Sequence, residues 1–257
     1  MGIAVHAPEP LTSTPLVLLH AFPLDSRMWS PVIDLLPDDV PIVLVDAPGF
    51  GEGTAQEPGL ERLALDVVAA IRELGVDEAV VAGLSMGGYV AMAIAEAAPG
   101  LLAGIGLLST KAGIDPEPAR EKRLEMVDAV ERGETGVALA MLEGLLGEST
   151  RASSPAVVEA VRDRLQEAPP EGLVWAQRSM AARPDRHAAL QALPEELPAL
   201  VLRGAEDSLM GAADAESMAA ALGVEVLEVP QSGHLAALEQ PGAVANALDD
   251  LYRRAVA

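Results

Sequence analysis

Up to Ser109 the chain alternates between short, uninterrupted apolar runs and stretches whose apolar positions recur every three or four residues. Pro15 to Leu19, Pro41 to Val45, Val80 to Ala82 and Leu101 to Leu108 are the runs, and they predict strands covered on both faces. Ile3 to Val5 offers at most an edge strand. Between the runs, Leu60, Leu63, Val67, Ile71 and Leu74 fall on one face of a helix that Gly75 closes. Arg27 to Leu36 predicts another helix, with Trp29, Ile33 and Leu36 at helical spacing. Alternation of this kind is the signature of a mostly parallel sheet flanked by helices.

From Ile114 to Leu193 the pattern changes: no strand is evident, and helical stripes are broken by Gly and Pro. Leu124, Val127 and Val130 share a face before Gly133, and Val137, Met141 and Leu145 do so before Gly147. Ser154-Pro155 reads as the cap and first residue of a helix carrying Val158, Val161 and Leu165. Leu173, Ala176 and Met180 form a further stripe. Such an insertion is either additional scaffold or a lid, and Met141, Trp175 and Met180 are read as core contacts within it. The alternation resumes with a strand at Ala199 to Leu202, a helix at Ala212 to Leu222 ended by Gly223, and a last strand at Val224 to Val229. Val244, Leu248, Leu251 and Ala255 line a C-terminal helix.

Composition narrows the partners. Half of the 257 residues are hydrophobic, yet only two each are Trp, Tyr and Phe, so aliphatic side chains and alanine must supply the core. Seventeen basic against thirty-nine acidic residues give a net charge of −22, which argues against nucleic acid and anionic membrane surfaces. With no cysteine there are no disulfides, thiolate metal sites or cysteine nucleophile. The N-terminus lacks the basic region and long apolar run of a secretory signal, and no apolar stretch reaches membrane-spanning length. The expectation is a cytoplasmic protein.

The candidate chemistry centres on Gly83-Leu84-Ser85-Met86-Gly87, where a buried strand runs into an alanine-rich helix. This is the pattern of a nucleophile elbow. A serine strained enough to project its hydroxyl leaves no room for Cβ atoms two residues to either side, and the helix that follows aims its free N–H groups at developing charge. A serine nucleophile needs a base. Of the four histidines, His6 is near the terminus, His187 is in the insertion and His20 directly precedes a loop with another role. His234, in Ser232-Gly233-His234, follows the last strand, and ligands gather at the carboxyl ends of strands in such sheets. The acid that orients the base is expected after Ala199–Leu202, with Asp207 the first choice, Glu206 its rival and Asp115 a third. Two N–H donors for an oxyanion are expected at Met86 and, from the loop after the first strong strand, at Phe22, with His20 bracing that loop. Phe22 could instead simply plug the core.

With Leu18-Leu19-His20-Ala21-Phe22-Pro23, Asp46-Ala47-Pro48-Gly49-Phe50-Gly51, Gly83-Leu84-Ser85-Met86-Gly87-Gly88, Leu202-Arg203-Gly204-Ala205-Glu206-Asp207 and Ser232-Gly233-His234 in this order, the chain resembles the α/β-hydrolase superfamily. It is most similar in kind to the small esterase, enol-lactonase and cofactor-free haloperoxidase-like members. The order Ser85, Asp207, His234 is theirs. The resemblance implies an α/β-hydrolase fold, with a core of residues 1–113 and 194–257 and a helical cap of residues 114–193 inserted before the last two strands. It also implies a serine hydrolase of the carboxylesterase or lactonase type, acting on a small-molecule ester or lactone without cofactor or metal. Carbon–carbon bond hydrolysis and perhydrolysis would use the same triad, and a hydrolase-derived ligand-binding protein is the non-enzymatic alternative. The family usually has His-Gly where this chain has His20-Ala21, and alanine resists a positive φ. Gly53 stands where serine is common, and the N-terminal hairpin is reduced.

Overall fold

In a computed structural model that describes residues 2–8, 10–11 and 13–257, the apolar runs form one seven-stranded sheet. Its strands are β1 (Ala4–His6), β2 (Leu16–Leu19), β3 (Ile42–Asp46), β4 (Ala79–Leu84), β5 (Leu102–Leu108), β6 (Ala199–Gly204) and β7 (Val226–Val229). They lie in the order β1-β3-β2-β4-β5-β6-β7. Only β1 is antiparallel, pairing at one edge with β3. Every residue of β2, β4 and β6 is buried, as the apolar runs Leu16–Leu19, Ala79–Leu84 and Ala199–Leu202 require, with Arg203 of β6 buried as well.

The path of the chain explains the layers. After β2 it steps outward to β3 and then back past β2 to β4, so right-handed crossovers place α1 (Ser30–Ile33) and α2 (Leu60–Glu73) on opposite faces. The helix after β4, α3 (Met86–Ala97), packs beside α2. Six helices lie between β5 and β6: α4 (Glu117–Glu131), α5 (Leu142–Leu145), α6 (Glu148–Ser153), α7 (Pro155–Glu167), α8 (Pro170–Ala181) and α9 (His187–Gln191). After β6 come α10 (Ala212–Leu222), β7 and the single turn α11 (Ala236–Glu239). Finally α12 (Pro241–Val256) returns across β4, β5 and β6 to meet α1. No helix of the described residues is long and apolar enough to cross a membrane.

Several elements differ from the sequence reading for identifiable reasons. The helix expected over Arg27–Leu36 is a 3₁₀ turn, Ser26–Trp29, followed by the four residues of α1. Pro31 has no N–H to give and is tolerated only in the first turn of a helix, so the α-helix starts at Ser30 rather than continuing from Arg27. On α4, Leu124 is 45% exposed and only Val127 is buried, so the expected three-residue face is not formed. The Val137–Leu145 stretch is broken into a 3₁₀ turn at Leu139–Met141 and the short α5. Pro155 does open α7, but the Ser154 side chain makes no capping hydrogen bond.

Candidate active site

The turn between β4 and α3 shows why its glycines are needed. A Cβ on Gly83 would lie 2.1 Å from the Gly87 carbonyl carbon, and one on Gly87 would lie 2.1 Å from the Leu19 carbonyl oxygen. Both obstacles are backbone, which cannot move aside. With that space kept clear, Ser85 sits at φ 54° and ψ −109°, a conformation that costs a non-glycine residue about 1–3 kcal/mol. The surroundings hold it there. The Ser85 N–H donates to Leu108 O at 2.8 Å, and the Ser85 carbonyl accepts from Thr110 Oγ1 at 2.9 Å and Gly88 N at 3.0 Å. Strain of this kind clusters at functional sites, although Ser109, also buried, sits at φ 43° as well.

Next to this turn runs the loop that follows β2, because β2 and β4 are neighbours in register. His20 fastens it. Its Nε2 accepts the Ala47 N–H at 3.0 Å, which leaves the proton on Nδ1 to donate to Ala21 O at 3.0 Å. Burial, the strongest influence, pushes the His20 pKa down and outweighs the Ala21 hydrogen bond and the Asp46 and Asp25 charges, so the ring stays neutral. Ala21 has no positive φ, so the missing glycine does not strain the loop. The Phe22 side chain is buried edge-on to Phe50, with ring centroids 6.2 Å apart. Among the described residues, neither the Phe22 nor the Met86 amide donates to another protein group, and Met86 opens α3.

Farther along the same carboxyl end of the sheet, the loops after β6 and β7 meet. Asp207 Oδ2 accepts from His234 Nδ1 at 2.9 Å, while its Oδ1 accepts from Leu209 N at 2.9 Å and Met210 N at 3.0 Å. Both side chains are buried. Burial alone would raise the Asp207 pKa, but the His234 charge and these hydrogen bonds outweigh it and hold the carboxyl below its ordinary value. The pair therefore rests with an ionised carboxylate fixing Nδ1 and leaving Nε2 for other work. Among the described residues no hydrogen bond joins the Ser85 hydroxyl to the His234 ring; such bonds often form fully only once substrate is bound.

The rivals are engaged elsewhere. Glu206 takes the Ser149 N–H at 2.8 Å and the Ser149 hydroxyl. Asp115 is ringed by Lys111, Arg123 and Arg183, with Arg183 Nη1 at 2.7 Å, and Arg183 stacks over Tyr89. His6 bonds Asp46, and His187 bonds Asp185 and Ser217. The Trp175 indole reaches outside the insertion to Glu57 O at 3.1 Å, so it ties the insertion to the sheet domain rather than only filling it. Among the described residues no group of His, Asp or Glu is placed to hold a metal.

One side chain beside the His234 loop escaped the sequence reading. Glu239, five positions after the histidine, bends back so that its carboxylate takes the amides of Gly233 and Leu235, which flank His234. Its only trace in the sequence is a lone acid in an otherwise apolar run, Leu235-Ala236-Ala237-Leu238-Glu239.

The chain has relatives. A family model described as "Alpha/beta hydrolase family" matches residues 16–247. A solved thermophilic esterase from Thermogutta terrifontis, with malate bound, superposes with a TM-score of 0.92 at 35% identity, covering 99% of this chain and 94% of that one. The biotin biosynthesis bifunctional protein BioHC of Cellvibrio japonicus is 30% identical over 94% of this chain, which spans only about half (48%) of that protein's length. The 3-oxoadipate enol-lactonase 2 of Acinetobacter baylyi is 26% identical over 93% of this chain and 88% of its own.

Proposed function

This chain belongs to the alpha/beta hydrolase family, and we propose that it is a serine hydrolase that cleaves a small-molecule carboxylic ester or lactone through an acyl-enzyme on Ser85. The observation that carries the reading is the strained Ser85 between two obligatory glycines, at the same sheet edge as a buried His234–Asp207 pair. Likeness to an esterase and an enol-lactonase supports an ester or lactone as substrate.

In this account Ser85 Oγ attacks the acyl carbon while His234 Nε2 takes its proton. Asp207 holds the ring by Nδ1–H and stabilises the imidazolium that forms. The tetrahedral oxyanion lies between the Phe22 and Met86 amides, each such donor being worth about 10²–10³ in rate. His20 keeps the Phe22 loop rigid, and the positive end of α3 adds to the field. Collapse returns the proton from His234 to the leaving oxygen. The ring then deprotonates a water, which releases the acid and frees Ser85. Only protein groups and water take part.

Residues 114–193 serve as the cap over this site, and residues 1–113 and 194–257 form the catalytic core. Support comes from the bonds that fasten the insertion to the loops of the core: Ser149 N to Glu206 at 2.8 Å, Gly147 N to Glu239 at 2.8 Å and Gly59 N to Ser179 Oγ at 2.8 Å.

The test is reaction with a fluorophosphonate probe, followed by peptide mapping. Labelling confined to Ser85 is expected. Absence of labelling, together with inertness toward p-nitrophenyl esters, would leave a ligand-binding protein on a hydrolase fold. Labelling at Ser85 without ester turnover would redirect the same triad to carbon–carbon hydrolysis or perhydrolysis.

A further inference from the structure

A carboxylate is costly to bury unless cations or several N–H groups compensate it. Glu239 is buried, and among the described residues no Lys, Arg or His pairs with it. Three backbone amides compensate it instead. Oε1 accepts from Gly233 N at 3.0 Å and Leu235 N at 3.1 Å, and Oε2 accepts from Gly147 N at 2.8 Å. The first two bracket His234. The third belongs to the insertion, 92 positions away in the chain.

The packing around these amides leaves no slack. A Cβ on Gly233 would stand 2.2 Å from Gly147 N, and one on Gly147 would stand 2.8 Å from Gly233 N. The backbone that carries His234 is therefore pressed against the insertion and pinned to it twice, through the Glu239 side chain and by the Leu235 N–H, which also donates to Leu145 O at 3.3 Å. Only a carboxylate can make the first attachment. Its two oxygens accept all three N–H groups, whereas a glutamine amide would turn its NH₂ toward one of them.

We propose that Glu239 is a positioning residue for the base, locking the His234 loop to the Leu145–Ser149 segment of the insertion so that the ring meets both Asp207 and Ser85 in register. The proposal rests on the reading of His234 as the base. Asp207 fixes the ring at Nδ1, but a ring held at one nitrogen can still swing with its backbone. Glu239 removes that freedom by holding the peptide on each side. The insertion thereby becomes part of the catalytic geometry, not only a cover over it.

The experiment compares wild type, Glu239→Gln, Glu239→Ala, Gly147→Ala and His234→Ala, using p-nitrophenyl butyrate kinetics and rates of fluorophosphonate labelling on folded protein. Misplacing a catalytic group by about 1 Å costs on the order of 100-fold. The expectation is a fall in kcat of about 100-fold in Glu239→Ala and about 10-fold in Glu239→Gln and Gly147→Ala, on the same scale. KM should stay near the wild-type value, and labelling should slow in parallel. A role confined to folding would lower the melting temperature and leave kcat per folded molecule unchanged, which would overturn the proposal. Should Glu239→Ala fail to fold, Glu239→Gln decides by the same criterion. Activity retained in His234→Ala refutes the base assignment and the proposal with it. His234→Ala inactive beside fully active Glu239 variants refutes the proposal alone.

Discussion

Replacing Asp207 by asparagine isolates what the acid does, because the rest of its surroundings dictate how the new side chain must lie. Oδ1 receives two N–H groups, from Leu209 at 2.9 Å and Met210 at 3.0 Å. Turning an NH₂ toward them would leave both amides unpaired, at about 1–3 kcal/mol each. The asparagine oxygen therefore keeps that place, and its NH₂ faces His234 Nδ1. The ring can meet a donor there only by accepting, which moves its own proton to Nε2, the atom that has to take the proton of Ser85. The same tautomer error costs a serine protease about 10⁴ in kcat, which is about 5 kcal/mol of barrier. Stability should change little, by about 1 kcal/mol or less, since two of the three hydrogen bonds remain and the third is replaced. The assay is p-nitrophenyl butyrate hydrolysis, with Glu206→Gln as the companion variant and thermal melts on both. Asp207→Asn should lose about four decades of kcat and Glu206→Gln only a few-fold. Asp207→Asn within about ten-fold of wild type, or Glu206→Gln as damaged as Asp207→Asn, would refute the assignment of the acid.

Other parts of the structure make independent predictions. Burial holds His20 neutral in the folded protein, whereas the unfolded ring takes up a proton below its ordinary value of 6.5. Its contribution to stability is thus present above pH 6.5 and is lost as the pH falls, with a slope of at most about 1.4 kcal/mol per pH unit. Urea midpoints of wild type should fall from pH 7 toward pH 5 more steeply than those of His20→Gln, and equal slopes would contradict this. Gly87→Ala drives a Cβ to 2.1 Å from the Leu19 carbonyl oxygen, so chemical denaturation should show a loss of at least about 3 kcal/mol, whereas an unchanged midpoint would mean the turn can relax. Asp115→Asn leaves Lys111, Arg123 and Arg183 crowded around a neutral group and should cost about 3–5 kcal/mol. Arg183→Met should cost less, since two cations still face the carboxylate; the reverse order in denaturation would refute that account.

The sheet was legible because its strands are buried on both faces, and unbroken apolar runs such as Leu16–Leu19 and Ala79–Leu84 suit little else. The Ser85 turn was legible for a similar reason: two close backbone approaches exclude every side chain at positions 83 and 87, so glycine appears there by necessity. Asp207 and His234 could be singled out by their place after strand ends, and the structure joins them by a hydrogen bond. Legibility fails where a local signal is overruled or absent. Helical spacing over Arg27–Leu36 gave way to Pro31, and Leu124 kept the spacing of a buried stripe while facing solvent. Within the insertion α4 dilutes its periodicity, burying Val127 alone, whereas Val161 and Leu165 of α7 and Leu173, Ala176 and Met180 of α8 are buried as their spacing predicts. Glu239 was invisible for a deeper reason. Its meaning depends on Gly147, far away in the chain, and no local pattern records that contact.

The most direct test of the central claim sets wild type beside Ser85→Ala in the hydrolysis of p-nitrophenyl acetate, butyrate and octanoate. Removing one hydroxyl from a site whose backbone is held by Leu108 and Thr110 should leave the fold intact. The account predicts a loss of at least about 10³-fold on every ester that wild type cleaves. Undiminished turnover by Ser85→Ala would contradict it.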